Sequence, residues 1–301
     1  MGAFIMLLTE ILTSIKSEVD IVHGTFEQYA RAERRLSEQL GRAAVVTDLT
    51  TDTINHFLIW LKSEHRVTNT TTRNYRSAII RIWNFASDRY GHDACIPRRL
   101  RSPKKEPVIV RAWTLPELHI LMQAAEDMPG QLRCGVPASL FMLAWIWVGY
   151  ETGYRPGDIR EIKWGSVDLE KRTITIVQHK TGRIHTSLFS ERSAELLRKL
   201  QAFGEQNVFP LDKTGVTRWE GILFRRAEKL GFKKFAGQGI GTLRKSHATQ
   251  IYQQSGIAAS AESLGHVSGV AVARNHYVDA RQRTGHIPRA PGDEGSHQRR
   301  A

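Results

Sequence analysis

The sequence predicts a mostly α protein with a small β-sheet in its second domain, an α+β architecture. Three observations carry this. Apolar residues recur at helical spacing through the first 90 residues. A proline-bearing basic stretch then interrupts the pattern at 91–113. Beyond it, helical stripes resume around one alternating segment, "RTITIVQHKTGRIHTSLF", whose central "KTG" reads as a hairpin turn. The 301 residues suffice for two domains, and 41% hydrophobic content suffices for packed cores.

Residues 1–90 are expected to be helical. "TFEQYARAERRLSEQL" begins at Thr25 as a candidate cap. "TTDTINHFLIWLKSE" places Ile54, Phe57, Leu58 and Leu61 on one face. "NTTTRNYRSAIIRIWNFASDRY" does the same with Tyr75, Ile79, Ile82 and Phe85. In "GHDACIPRRLRSPKKEPVIVRAW" (91–113), prolines break helix and Arg98, Arg99, Arg101, Lys104 and Lys105 repel one another. An extended linker is expected there, and the charge makes it a candidate strap for a phosphate backbone. A second domain follows over 114–280. "TLPELHILMQAAEDM" is a helix capped by Thr114 with Pro116 in its first turn. "ASLFMLAWIWVGY" (138–150) is apolar all round and reads as a buried helix. The hairpin and four further helical stretches complete the domain. The tail, 281–301, is rich in Pro, Gly and polar residues and is expected to be flexible, with docking on a neighbouring subunit as a hypothesis.

Composition narrows the function. Forty-three Lys and Arg against 30 Asp and Glu leave a net charge of +13, which favours a polyanionic partner. The longest apolar run is too short to cross a bilayer. The N-terminal stretch has neither a basic n-region nor a cleavage site of the secretory kind. Nucleic acid is therefore expected over membrane. Two distant cysteines, Cys95 and Cys134, make neither a disulfide framework nor a zinc site, which fits a reducing cytoplasm. There is no Walker A loop, no strand-linked GxGxxG, no HExxH and no EF-hand loop. The glycine-rich "AGQGIGT" (236–242) has the wrong spacing for a phosphate cradle. No carboxylate cluster suits a two-metal nuclease. Neither metal nor cofactor is expected.

Metal-free attack on a phosphodiester needs cations on the non-bridging oxygens, a nucleophile, and a proton for the leaving 5′ oxygen. Arginine suits the first task, since its planar fork stays charged and grips two oxygens. "ETGYRPGDIREIKW" sets Arg155 after a Thr-Gly turn, with Asp158 three residues on. "HKTGR" sets Lys180 at a hairpin tip. "GTLRKSHAT" sets Arg244 near a helix start, and "LGHVSGVAVARNHY" holds His266 and Tyr277. Singly, each reads equally well as a structural pair, a solvated lysine or a packing residue.

In this order, the segments resemble the tyrosine recombinases, or phage integrases, over the whole of 114–280. The first domain and linker look like that family's core-binding domain and strap. The resemblance implies roles. Arg155 and Arg244 match the two phosphate-clamping arginines, and Asp158 the acidic residue supporting the first. Lys180 matches the general acid to the 5′ oxygen, and His266 a histidine that hydrogen-bonds the scissile phosphate. Tyr277 matches the nucleophile that forms a 3′-phosphotyrosyl link. Also implied are double-stranded DNA as partner, a homotetramer on two DNA sites, accessory DNA-bending proteins, and a cytoplasmic, nucleoid-associated location.

Two departures qualify this. The family usually carries His or Lys three residues before the second arginine, where this chain has Gly241. That group helps take the tyrosine's proton, and losing such a group costs about 10²–10⁴ in rate. His247 and Lys245 are the candidate stand-ins. The His266–Tyr277 spacing is also slightly long. Tyr150, Tyr154 and Tyr252 are competing tyrosines. The readings to separate are thus a recombinase, a catalytically impaired DNA-binding protein on the same fold, and a type IB-like topoisomerase.

Overall fold

The computed structural model describes residues 6–106, 109–179, 181–265 and 270–279. The chain forms two compact units, Met1–Pro107 and Val108–Ala301.

The first unit contains helices α1 (Leu8–Glu18), α2 (His23–Leu40), α3 (Thr51–Ser63) and α4 (Asn69–Tyr90). Thr50 and Thr68 cap α3 and α4 through their hydroxyls. As the spacing predicts, α3 buries Ile54, Phe57, Leu58 and Leu61. The buried face of α4 is centred on Ala78, Ile79, Ile82, Trp83 and Ala86. Tyr75 and Phe85 lie at its edges, half-buried. Helix α2 starts three residues earlier than expected. Thr25 is already inside its first turn, donating its N–H to the Val22 carbonyl at 2.9 Å. The cap position is Val22, which has no side chain able to cap, so sequence preference pointed to the wrong residue.

The basic segment is tied to this unit by its backbone. Trp83 Nε1 donates to the Asp93 carbonyl (2.6 Å), and Arg76 donates to that of Pro97 (2.6 Å). The Asn55 side chain donates to the Arg99 carbonyl (3.2 Å) and accepts from the Arg101 N–H (2.7 Å). Arg73 donates to the Pro103 carbonyl (3.1 Å). A 3₁₀ turn at Pro97–Arg99 interrupts the extended chain, and Leu100 joins the core. The boundary between the units, at 107/108, falls inside the stretch expected as linker. Arg98, Arg99, Arg101, Lys104 and Lys105 all remain exposed.

The second unit is built round one apolar helix. Helix α5 (Leu115–Glu126) opens on a capping box, in which Thr114 and Glu117 satisfy each other's backbone N–H groups. Helix α6 (Ala138–Thr152) is buried along nearly its whole length, as its all-round apolar sequence predicts. Phe141 and Trp145 of α6 pack edge-on against Phe209 or tilted against each other. Helix α7 (Pro156–Arg160) follows after a turn. The sheet is antiparallel in the order β1 (Val167–Asp168), β2 (Thr173–Val177), β3 (Ile184–Leu188). The register sets Ile174 opposite both Val167 and Ser187, and Ile176 opposite His185. The two-residue strand β1 was not expected. Helices α8 (Glu191–Gln201), α9 (Lys213–Lys229), α10 (Thr242–Ser263) and α11 (Val270–His276) complete the unit. Helix α10 packs on α6 and is kinked at Gly256, whose φ is 82°. Among the described residues no helix is long and apolar enough to cross a membrane. The tail expected to be flexible, 281–301, lies outside the described residues.

Candidate active site

Arg155 stands between two helices for a backbone reason. Helix α6 ends at Gly153, which takes the left-handed conformation (φ 63°) that turns the chain. Arg155 is the extended residue that opens α7, with Pro156 at its first position. Its side chain, 21% exposed, lies 3.6 Å from the buried Asp158 carboxylate. That is an ion pair without a hydrogen bond. Arg155 Nη1 has no hydrogen-bond partner among the described residues. A buried, unsatisfied guanidinium nitrogen is costly unless a ligand completes it. The other Asp158 oxygen, Oδ1, accepts the backbone N–H of His179 at 3.0 Å. Asp158 thereby joins Arg155 to the hairpin, one residue before position 180.

Arg244, in the first turn of α10, is 2% exposed. Its Nη1 donates to the Gly153 carbonyl (2.6 Å) and its Nη2 to the Leu264 carbonyl (3.0 Å). One guanidinium thus ties the turn before Arg155 to the turn before position 266. Burial, then the charge of Arg155, pull its pKa down from 12.5 to about 10, while contact with Tyr277 works the other way. Arg244 stays protonated at neutral pH. A desolvated cation beside a second one makes a site that an anion relieves.

Tyr277 follows α11, and its N–H donates to the Ala273 carbonyl at 3.0 Å. Its ring lies 4.9 Å from the Arg244 guanidinium, within cation–π range. Its carbonyl accepts the Thr249 hydroxyl at 3.4 Å, which fastens it to α10. Two residues on, the fully buried Asp279 accepts the Ala112 N–H at 2.9 Å, anchoring the segment to the start of the unit. The competing tyrosines are placed otherwise. Tyr154 is buried, donates to the Ile174 carbonyl at 2.6 Å, and has its pKa pushed up to about 12 by that burial. The Tyr150 phenol is also raised, by burial first and then by Glu151.

Lys180 and His266 lie outside the described residues, but their flanks do not. Beside position 180, Gln178 is 1% exposed. Its Oε1 accepts the Thr181 hydroxyl (2.8 Å), and its Nε2 donates to the Leu264 carbonyl (3.3 Å). Next to position 266, Gly265 has φ 67°, and a Cβ there would sit 2.8 Å from Gln178 Nε2 and 3.2 Å from His185 Nδ1. Glycine before the histidine is thus required twice, by conformation and by space. His185 Nε2 is 3.1 Å from the Ser263 carbonyl. Burial lowers the His185 pKa. Sequence reading missed Gln178, His185 and Asp279, because nothing in local spacing connects residues 86, 78 or 167 positions apart.

The stand-ins for the missing basic group are also placed. Gly241 is exposed at the N-terminus of α10 with an ordinary helical φ of −64°, and its nearest neighbour is Pro156. His247 is turned away into the protein. Its Nδ1 is 2.8 Å from the Tyr150 carbonyl and its ring packs on Gly153. Burial drives its pKa from 6.5 to about 4. A neutral, enclosed imidazole of this kind is a packing residue more than a proton carrier. Lys245 is half-buried. Among the described residues there is no His, Cys, Asp and Glu group able to hold a metal ion.

Residues 114–283 match the model of the phage integrase family, more than half of the chain. The chain belongs to the phage integrase family, the tyrosine recombinases. These enzymes cleave and rejoin DNA by transesterification. A tyrosine recombinase XerC of Natranaerobius thermophilus is 25% identical over 280 residues, covering 87% of this chain and 90% of the relative. The fold is that of lambda integrase. A dimer of that protein bound to a COC′ core site superposes with a TM-score of 0.72 at 21% identity, covering 95% of this chain and 81% of lambda integrase. A lambda integrase tetramer bound to a Holliday junction superposes with a TM-score of 0.71 at 21% identity, covering 92% and 78% of the two chains. The family match ends three residues beyond the expected limit of the catalytic domain and contains every residue to which a catalytic role was given.

Proposed function

We propose that this protein is a site-specific recombinase of double-stranded DNA that works as a tetramer on two sites, with Tyr277 as nucleophile. The observation that carries this is the stacking of Arg244 on Tyr277, beside a second cation, Arg155, that has an unsatisfied nitrogen. The scissile phosphate fits between them. Arg155 and Arg244 hold its non-bridging oxygens, whose charge grows in the transition state. The Tyr277 oxygen attacks phosphorus, the bond to the 5′ oxygen breaks, and Lys180 gives that oxygen its proton. His266 adds a hydrogen bond to the phosphate. With Gly241 bare, the phenolic proton leaves to solvent. The phosphotyrosyl bond conserves the energy of the ester, so a 5′ hydroxyl from a partner strand reseals it without ATP. The exposed cations Arg98, Arg99, Arg101, Lys104 and Lys105 supply backbone contacts. DNA-bound dimers and tetramers among the similar structures support this assembly.

The test is covalent capture. The protein and Tyr277→Phe are expressed beside DNA from the native genomic neighbourhood, and DNA still attached to denatured protein is sequenced at its ends. Attachment at discrete positions, lost in Tyr277→Phe, is expected. DNA binding without any attachment, with an active relative positive in parallel, would identify a binder that has lost its chemistry.

A further inference from the structure

We infer that Gln178 is a positioning residue that holds the hairpin tip and the turn before position 266 in one register, so that proton donor and phosphate clamp are set together. The inference rests on the catalytic reading above. Gln178 ends the β2 side of the hairpin, where its N–H donates to the Arg183 carbonyl at 2.7 Å. That bond fixes the residue across the hairpin loop. Its buried amide then spans two otherwise separate segments. The Thr181 hydroxyl, one residue past Lys180, donates to Oε1 at 2.8 Å. Nε2 donates to the Leu264 carbonyl at 3.3 Å, the same carbonyl that receives Arg244 Nη2 at 3.0 Å. The assignment of nitrogen and oxygen is forced, because a carbonyl only accepts.

An amide is the group this place demands. Two opposed needs, an acceptor for a hydroxyl and a donor to a carbonyl, are met by one uncharged side chain. A carboxylate would repel the carbonyl, and a hydrocarbon would orphan it. The missing Cβ of Gly265 is the space that Nε2 uses. Gln178 thus links the hairpin, the Arg244 fork and the Leu264–Gly265 turn. A misplacement of about 1 Å in such an array costs about 10²-fold in rate.

Three proteins test this: wild type, Gln178→Met, which keeps the length and loses both bonds, and Thr181→Val, which loses the hairpin bond alone. Hydrogen exchange of the free proteins needs no substrate. Gln178→Met is expected to lose protection around both 179–183 and 263–266, with the helices of the first unit unchanged. Unchanged exchange at either segment overturns the link. Cleavage is then timed on a nicked duplex carrying the position recovered by capture, made with an ordinary phosphate or with sulfur as the 5′ bridging atom. Sulfur leaves without a proton, so it removes the need for the general acid. Thr181→Val is expected to be about tenfold slow on the ordinary duplex and normal on the sulfur one. Gln178→Met is expected to be about 100-fold slow on the first and only partly restored on the second. Affinity for DNA and melting temperature stay near wild type. Equal rates in all three proteins, or losses that follow melting temperature on both duplexes, overturn the inference. A wild type that captures no DNA refutes the catalytic reading instead, and hydrogen exchange still decides the link.

Discussion

In the first unit, Asp48 is met by Arg42 through two parallel hydrogen bonds of 2.6 and 2.7 Å, six residues apart, and also takes the Val45 N–H at 2.8 Å. In the second, Arg244 reaches carbonyls 91 and 20 residues away and lies over a tyrosine. The first arrangement saturates a carboxylate, closes a 3₁₀ turn at the surface, and leaves nothing over. The second fixes the backbone of two distant turns through neutral carbonyl acceptors. Both are arginines with good hydrogen bonds. Only the second has long-range bonds, and it is the one to which the proposed function gives a role in chemistry. Its cost is visible in its lowered pKa, since the desolvated charge is held there by the fold.

Exchanging the two arginines for alanine separates the roles. Arg244→Ala is expected to slow cleavage by about 10³-fold, through loss of a phosphate ligand and of the tie between the turns. Arg42→Ala should leave cleavage within about twofold, because its bonds go to Asp48 and Ala43 and to none of the residues proposed for catalysis. Single-turnover cleavage of a captured site measures both. A comparable loss in the two variants would erase the distinction.

His247 gives the next largest effect, in stability against pH. Its folded pKa is about 4 and its ordinary value 6.5, because burial penalises the charged ring. The unfolded chain therefore takes the proton first. The stabilisation is fully present above about pH 6.5 and is lost as pH falls towards 4, ~3 kcal/mol over that window. In His247→Leu this part of the slope should vanish from melting curves recorded between pH 7.5 and 4.5. A smaller loss follows from Gly153→Ala, where φ is 63° and the new Cβ would lie 2.6 Å from His247 Cδ2. About 2 kcal/mol of destabilisation is expected by denaturant titration. At Gly91, where φ is 67° but nothing lies within 4 Å, alanine should cost only the backbone part.

Much of this was legible in the sequence, and the limit is physical. Helix α6 is apolar on every side and can only be buried. The stripe of α3 and the alternation of β2 and β3 follow from their periods. The candidate site residues could be nominated because each sits in a short local pattern, a Thr-Gly turn, a hairpin tip, a helix start. What tied them together was not legible. The Gln178–Leu264, His185–Ser263 and Asp279–Ala112 bonds join residues that share no period. The basic segment also looked like free linker, because its charges and prolines are local signals. The bonds from Asn55, Arg73 and Arg76 that hold it are not.

The finest distinction is between a catalytic group that is absent and one that is not needed. Gly241 lies beside Pro156 with an ordinary φ, and a Cβ would meet Pro156 Cγ at 3.5 Å, a normal contact. Glycine is therefore not required here by the backbone. Gly241→Lys should fold with its melting temperature within about 2 °C of wild type, since the position is exposed and uncrowded. If charge build-up on the tyrosine oxygen limits cleavage, the added ammonium should raise the rate about tenfold, ~1.4 kcal/mol of barrier, by stabilising the phenolate. A well-folded Gly241→Lys with unchanged rate across pH 6–8 would mean that Arg244, by stabilising the phenolate beneath it, already does enough. The bare glycine would then be part of a working site in which charge, and not a dedicated base, activates the nucleophile.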